Sequence, residues 1–121
     1  MQKKGVNVMN NCLFCRIIQG EIPSEKVFED DMVYAFRDIN PQAPVHVLVI
    51  PKKHLASIDE IDKAEDREIA ACLRAVMQIA KQENLTQGYR VVSNCGPDAC
   101  QSVPHLHFHV LGGRKMADRM V

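Results

Sequence analysis

The chain has 121 residues, 46% of them hydrophobic, and its fifteen lysines and arginines equal its fifteen aspartates and glutamates. This size and balance predict one globular domain without the net charge that attracts nucleic acid or an anionic membrane. Since no segment resembles a signal peptide or a membrane span, we expect a cytoplasmic protein with residues 1–11 as a flexible extension and residues 12–121 as a single domain.

Two cysteines, Cys12 and Cys15, begin the part of the chain that has a regular pattern. Their spacing suits a metal ion held by one turn of chain, a redox pair or two unrelated thiols. The odd total of five cysteines favours ligands or free thiols over a disulfide framework. Apolar residues then repeat at helical spacing as far as Ile18, and Gly20 ends this short helix.

A β-hairpin is predicted over residues 27–36, with a turn at Asp30 and Asp31. The loop that follows, residues 38–44, is stiffened by two prolines and is expected to hold a fixed shape. Asp38 at its start either binds a ribose diol or caps the turn.

Residues 45–50 form the most strongly β-prone run of the chain, which predicts a central strand ended by Pro51. His46 is the only polar residue in this run. Because a buried polar group without a partner costs about 1 to 3 kcal/mol, we expect the ring of His46 to bond to the histidines near the end of the chain.

A long helix is predicted from about Lys63 to Asn84, after a sequence at 62–65 that resembles a capping box. Its apolar stripe is formed by Ile69, Leu73, Val76 and Ala80, widened by Ala70 and Met77. We expect this helix to cover one face of the sheet, with Cys72 packed inside and no catalytic role.

Residues 89–93 predict another strand, and the loop of residues 94–104 leads from it to the histidines. With turn-forming residues, backbone amides and the Ser102 hydroxyl, this loop has the components of an anion cradle, although a wide connection would look the same. Cys95 and Cys100 are either reactive, if those amides lower their pKa, or spectator thiols.

His105, His107 and His109 occupy every second position of the last strand-like segment, which we call the histidine row. Alternation on a strand puts the three imidazoles on one face and the apolar residues between them in the core. Three functions fit this pattern: a catalytic zinc site, a pocket that binds phosphate by charge, and a histidine nucleophile that attacks phosphorus. The first is the weakest, since no acidic residue flanks the strand to hold the second nitrogen of a ligand.

The nucleophile hypothesis assigns distinct roles to the neighbouring side chains. His107, in the middle of the row, attacks phosphorus and forms a covalent nucleotidyl-histidine that water then hydrolyses. His46 would bond to the far nitrogen of His107 and fix its tautomer. Ser102 would donate a hydrogen bond to the leaving group or to a phosphate oxygen.

The chain resembles the histidine triad family, in its nucleotide-binding, protein kinase C inhibitor-like branch. The resemblance is carried by the histidine row and by residues 12–18, 20–23, 38–39, 41–44, 46–54 and 101–103. It implies an α+β fold with a five-stranded antiparallel sheet, one long helix and a short N-terminal helix, assembled as a homodimer. It also implies binding of purine nucleotides and hydrolysis of adenosine or guanosine phosphoramidates. The third histidine, where related transferases have glutamine, favours hydrolysis over transfer to a sugar phosphate.

The resemblance also implies which residues form the site. His107 matches the nucleophile, and the other catalytic positions are His46, His105, His109 and Ser102. The nucleotide-binding positions are Phe14, Ile22, Phe36, Asp38, Ile39, Asn94, Cys100, Gln101, Ser102, His107 and His109. A structural zinc ion in some members is held at positions matching Cys12, Cys15, His54 and His105, while the chemistry itself needs no cofactor.

His105 belongs to both sets, so we expect Pro104 to mark a bend that turns this histidine away from the row. Cys100 stands where a glycine is common and Pro104 where an aromatic residue is usual, which restricts the loop and removes a backbone donor. Two alternative functions remain open: a dinucleoside polyphosphate hydrolase, and a zinc-stabilised nucleotide-binding module with little turnover.

Overall fold

The computed structural model describes residues 11–121, so the predicted extension at residues 1–11 lies, except for Asn11, outside the described part. The described chain forms a sheet of five strands in the order β1-β2-β3-β5-β4, and each neighbouring pair is antiparallel. The strands are β1 (Lys26–Glu29), β2 (Val33–Arg37), β3 (Val45–Pro51), β4 (Tyr89–Val92) and β5 (Phe108–Gly112). The two α-helices of this part are α1 (Leu13–Ile18) and α2 (Asp66–Gln82). The expected α+β class and five-stranded antiparallel sheet are confirmed.

The central strands are buried on both faces, because side chains alternate along each strand. Val33 and Ala35 of β2 pack in a cluster with α2, whereas Tyr34 and Phe36 pack in a second cluster with α1. Strand β3 divides its residues between the same two clusters, which explains its almost continuous run of apolar side chains. The sheet therefore has a helix on each face, and none of the described helices is long and apolar enough to cross a membrane.

Helix α2 starts later than the sequence pattern predicts. Residues Ile58–Lys63 form a 3₁₀-helix, and the capping box joins Glu65 and Glu68 rather than residues 62 and 65. The Glu65 N–H donates to the Glu68 carboxylate at 2.8 Å, which satisfies a backbone donor that the first helical turn leaves free. The predicted end at Asn84 is also wrong by two residues, because Asn84 adopts a left-handed conformation with φ of 59°.

The buried stripe of α2 differs from the predicted one by about one helical position. Cys72 is fully buried, as expected, together with Ala75 and Ile79. Leu73 and Met77, which were placed on or beside the apolar stripe, have exposed side chains instead. Burial raises the pKa of the Cys72 thiol to about 12, so this cysteine stays protonated inside the core.

Strand β5 begins only at Phe108, so the histidine row is not one continuous strand. The Leu106 N–H donates to the Leu55 carbonyl at 2.7 Å, and the His105 N–H donates to the Val103 carbonyl at 2.8 Å. The apolar residues of the row are nonetheless buried as predicted, in the cluster with α2. Of the three histidines, only His109 lies within β5.

Candidate active site and metal centre

His107 is buried and is held through its ring and its carbonyl. Its Nδ1 lies 2.7 Å from the carbonyl oxygen of His105. A carbonyl only accepts, so Nδ1 carries the proton and a neutral ring has its lone pair at Nε2. The hydroxyl of Ser93 donates to the His107 carbonyl at 2.8 Å. Ser93 was missed in the sequence because a serine at the end of a strand gives no functional signal.

His46 does not contact His107 in the way the sequence hypothesis required, and that expectation is wrong. Its Nε2 lies 2.9 Å from Nδ1 of His109. Its Nδ1 accepts the backbone N–H of Gln42 at 3.0 Å. Since a backbone N–H only donates, the proton of a neutral His46 sits on Nε2 and is donated to His109. The proton of a neutral His109 then sits on its own Nε2.

Both rings of this pair are neutral near pH 7. Burial lowers the pKa of His46, although the nearby charge of Asp38 opposes the shift. Burial lowers the pKa of His109 to about 4, with the neighbouring charges of His107 and His46 acting in the same direction. The ring centroids of His107 and His109 are 5.0 Å apart. Two neighbouring rings thus carry a lone pair at Nε2 of His107 and an N–H at Nε2 of His109.

Asp38 places a carboxylate beside the histidines, which the sequence did not reveal. One of its oxygens caps the turn by accepting the Asn40 N–H at 2.8 Å. The other lies 3.5 Å from Nε2 of His46. The argument against a catalytic zinc site from a missing acidic residue was therefore wrong, because the carboxylate comes from the loop before β3.

Asp38, His46 and His109 bring three possible ligand atoms within 4.8 Å of one another. The hydrogen bonds argue against a metal ion there. Because the Gln42 N–H uses the lone pair at Nδ1 of His46, a neutral His46 has no second lone pair to offer at Nε2. The geometry favours an N–H···N bond between the two rings over catalytic zinc.

The side chains of Cys12, Cys15, His54 and His105 form a second cluster, in which all four ligand atoms lie within 4.8 Å. Nδ1 of His105 lies 3.4 Å from Sγ of Cys12 and 3.2 Å from Nδ1 of His54. Sγ of Cys15 lies 3.3 Å from Nδ1 of His54. Ligand atoms around tetrahedral zinc are separated by about 3.3 to 3.8 Å, given the usual Zn–N and Zn–S lengths. The four side chains fit a zinc ion.

His105 has the tautomer that a metal ligand needs. Its Nε2 donates to the Pro51 carbonyl at 2.9 Å, which leaves the lone pair of Nδ1 facing the cysteines. Burial lowers the pKa of His105 to about 4, and burial also lowers the pKa of His54. The expected turning aside of His105 is confirmed: its ring joins the cysteines, and its carbonyl holds His107.

Three of the predicted nucleotide-binding positions, Phe14, Ile22 and Phe36, pack in the cluster with α1. The ring of Phe14 makes edge-to-face contacts with Phe36 and with His107, at centroid distances of 5.4 and 5.2 Å. Ile22 packs against the same cluster, half-buried. Ile39 is 92% exposed, so its apolar side chain is open to a ligand. Apolar side chains thus pack directly against His107.

The loop before the histidines is organised by Gln101. The Gln101 amide nitrogen donates to the carbonyls of Ala56 and Val103, and its oxygen accepts the Gly96 N–H. Its backbone N–H donates to the Gly96 carbonyl. These bonds give Gln101 a structural role in the loop, and its predicted contact with a nucleotide stays a prediction. Cys100 likewise donates its N–H to Pro97, in a left-handed conformation that explains why glycine suits this position.

Two more predicted positions, Asn94 and Ser102, lie on this loop. Asn94 follows β4 and is half-buried, while Ser102 is exposed, one residue after Gln101. Ser102 is thus open to a ligand, and Asn94 is partly so.

Comparison with known proteins identifies the family. A model of the HIT domain matches residues 19–116. The chain is 53% identical over 107 residues to a 14 kDa zinc-binding protein of Zea mays, which covers 86% of this chain and 83% of the relative. It is 51% identical over 107 residues to the adenylylsulfatase HINT1 of Arabidopsis thaliana, which covers 86% and 72% respectively.

A solved structure shows the same fold. The HIT family hydrolase from Clostridium thermocellum superposes with a TM-score of 0.91 at 43% sequence identity, covering 94% of this chain and 100% of that one. Its match and that of the domain model extend over the sheet, α2 and the histidine row. The chain therefore belongs to the histidine triad, or HIT, family.

Proposed function

We propose that this protein hydrolyses the P–N bond of purine nucleoside phosphoramidates, with His107 as the nucleophile. The observation that supports this most is that the hydrogen bonds leave a lone pair at Nε2 of His107 and an N–H at Nε2 of His109, on rings whose centroids are 5.0 Å apart. A nucleophile needs a free lone pair, and an N–H donor can stabilise a phosphate oxygen or a leaving group.

The reaction takes two displacements. Nε2 of His107 bonds to phosphorus as the P–N bond breaks, and the leaving nitrogen takes up one proton and departs as an amine. The positive charge that develops on the ring is stabilised by its N–H bond to the His105 carbonyl. Water then attacks phosphorus, the Nε2–P bond breaks, one proton is released, and the nucleoside monophosphate leaves with His107 restored.

Other residues would orient the nucleotide. Phe14, Ile22 and Phe36 would hold the purine through apolar contact, and the exposed Ile39 would contact the ribose. The Asp38 carboxylate would accept hydrogen bonds from the ribose diol. Asn94 and Ser102 would contact the phosphate and the leaving group from the loop after β4.

Three candidate substrates share the nucleotidyl group and differ in the leaving group. The first is the phosphoramidate. One relative is named an adenylylsulfatase, which makes adenylyl sulfate the second candidate, and a dinucleoside polyphosphate is the third. Steady-state kcat/KM for an adenosine phosphoramidate, adenylyl sulfate and a diadenosine polyphosphate, measured side by side, would rank the three leaving groups. The proposal expects the phosphoramidate to be preferred.

The nucleophile is tested by His107→Ala. We expect turnover of all three compounds to fall at least about a thousandfold, because no other group can form the covalent intermediate. Binding of AMP, followed by calorimetry, serves as the control for folding. Turnover that survives this substitution would contradict the assignment, and a wild-type protein that binds AMP but cleaves none of the compounds would be a binding module.

We also propose that the cluster of Cys12, Cys15, His54 and His105 holds a structural zinc ion. The ion would tie the start of α1 to the segment before β5 and take no part in the reaction. Purified protein should contain one zinc per chain, and Cys12→Ser should lose it while Cys72→Ser, at a buried cysteine outside the cluster, keeps it. Wild-type protein that takes up no zinc when the metal is supplied would refute the site.

The resemblance further implies a homodimer. Strand β4 lies at the edge of the sheet and exposes Tyr89 and Val91, which gives two copies a surface for pairing. The molecular mass in solution distinguishes a dimer from a monomer.

A further inference from the structure

We propose that the backbone N–H of Gln42 sets the tautomers of His46 and His109, and that Arg114, which bonds to the carbonyl of the same residue, holds the Gln42 backbone in place. Gln42 and Arg114 are then positioning residues that act on the reaction through two rings. The kinetic consequence rests on the proposed function, but the tautomers can be measured without any substrate.

The first step is the bond from the Gln42 N–H to Nδ1 of His46, at 3.0 Å. If the proton of His46 moved to Nδ1, two N–H groups would face each other at this distance and the bond would be lost. A hydroxyl or a second histidine could change from donor to acceptor, but a backbone N–H can only donate. The Gln42 N–H therefore keeps the proton of His46 on Nε2.

In the second step, the tautomer of His46 determines the tautomer of His109. Nε2 of His46 lies 2.9 Å from Nδ1 of His109, so only one proton fits between the two nitrogens. With that proton on His46, His109 must accept at Nδ1 and carry its own proton at Nε2. If His109 donated this proton to His46 instead, Nε2 of His109 would carry a lone pair rather than an N–H and could not donate to the phosphate oxygens of a bound substrate.

The third step concerns what holds the Gln42 backbone. The Gln42 carbonyl, which belongs to the following peptide group, accepts Nη2 of Arg114 at 3.1 Å, so the backbone of Gln42 is bonded on both sides of its Cα. Gly113 allows this approach: its φ is +96°, and a Cβ there would come within 2.9 Å of Cβ of Pro44. Gly113 thus lets the following arginine lie against the proline-containing loop.

The side chain of Gln42 takes no part in this arrangement. It is exposed, and its amide nitrogen donates to the Asn40 carbonyl. Gln42→Ala keeps the backbone N–H, whereas Gln42→Pro removes it. The chain thus offers a matched pair of variants at a single position.

Two-bond ¹H–¹⁵N correlation spectra of the histidine rings report which nitrogen carries the proton. We expect Nε2–H for both His46 and His109 in the wild type and in Gln42→Ala. In Gln42→Pro both rings should populate the Nδ1–H form, and kcat should fall at least about tenfold with a smaller change in KM, since a donor in the transition state is lost.

Arg114→Ala should shift the tautomers in the same direction, while Arg119→Ala, in the same C-terminal segment, should leave them unchanged. If Gln42→Pro fails to fold, this second pair carries the test. A wild-type His46 protonated at Nδ1, or wild-type tautomers in folded variants that lack the bond, would overturn the proposal. Correct tautomers in a protein that cleaves none of the compounds would leave it intact and refute the proposed function instead.

Discussion

The two carbonyl groups next to the His107 ring have different partners. The His105 carbonyl accepts the ring proton of His107, and the His107 carbonyl accepts the Ser93 hydroxyl. His107 precedes β5 and is not held by the ladder of the sheet. We therefore expect these single hydrogen bonds to contribute to the orientation of its ring.

Ser93 provides a direct test at this scale. Ser93→Ala removes the donor to the His107 carbonyl, and we expect a loss of about 1 kcal/mol in the free energy of unfolding, together with a lower kcat. Ser93→Thr keeps a hydroxyl and should retain most of both. Denaturant unfolding and steady-state rates on the two variants measure the effects. An alanine variant equal to the wild type in both would show that the bond contributes nothing to the site.

At the scale of helices and strands, the sequence pattern predicted the elements that depend mainly on neighbouring residues. The short first helix, the hairpin and strand β3 follow from apolar spacing and from turn residues, and all three are present. The start of β5 was missed because alternating apolar residues look the same whether or not their backbone pairs with a neighbour. Here Leu106 bonds to Leu55, outside the sheet, and this contact between distant residues leaves no periodic signal.

Only part of the candidate site could be predicted from the sequence. The histidines could be singled out because their side chains carry chemistry in a visible pattern. The partner of His46 could not, because it is a backbone N–H, and every residue except proline has one. The Asp38 carboxylate was missed as a neighbour for another reason: it reaches the row through the loop before β3 and not along the strand.

For the molecule as a whole, the buried neutral histidines link folding to pH. Burial lowers the pKa of His109 to about 4 and lowers the pKa of His46, from an ordinary value of 6.5. In the unfolded chain both rings regain ordinary values, so below pH 6.5 the unfolded chain binds protons that the folded protein does not. The folded state is therefore destabilised by acid.

We expect the free energy of unfolding to decrease as the pH is lowered from about 6.5 to about 4, and the contribution of His109 to level off below that. Denaturant titrations at fixed pH, with metal chelated throughout, measure the slope. His109→Gln removes one of the titrating rings, so its slope should be shallower than that of the wild type. Equal slopes would mean that His109 is not held neutral by the fold.

His105 contributes its ring to the cysteine cluster and its carbonyl to His107. A residue shared in this way would couple the proposed zinc site to the proposed nucleotide site. If a metal ion that fixes the His105 backbone strengthens nucleotide binding, thermodynamic reciprocity requires a bound nucleotide to raise the metal affinity by the same factor. Metal supply would then influence the fraction of molecules in which His107 is oriented for the proposed reaction.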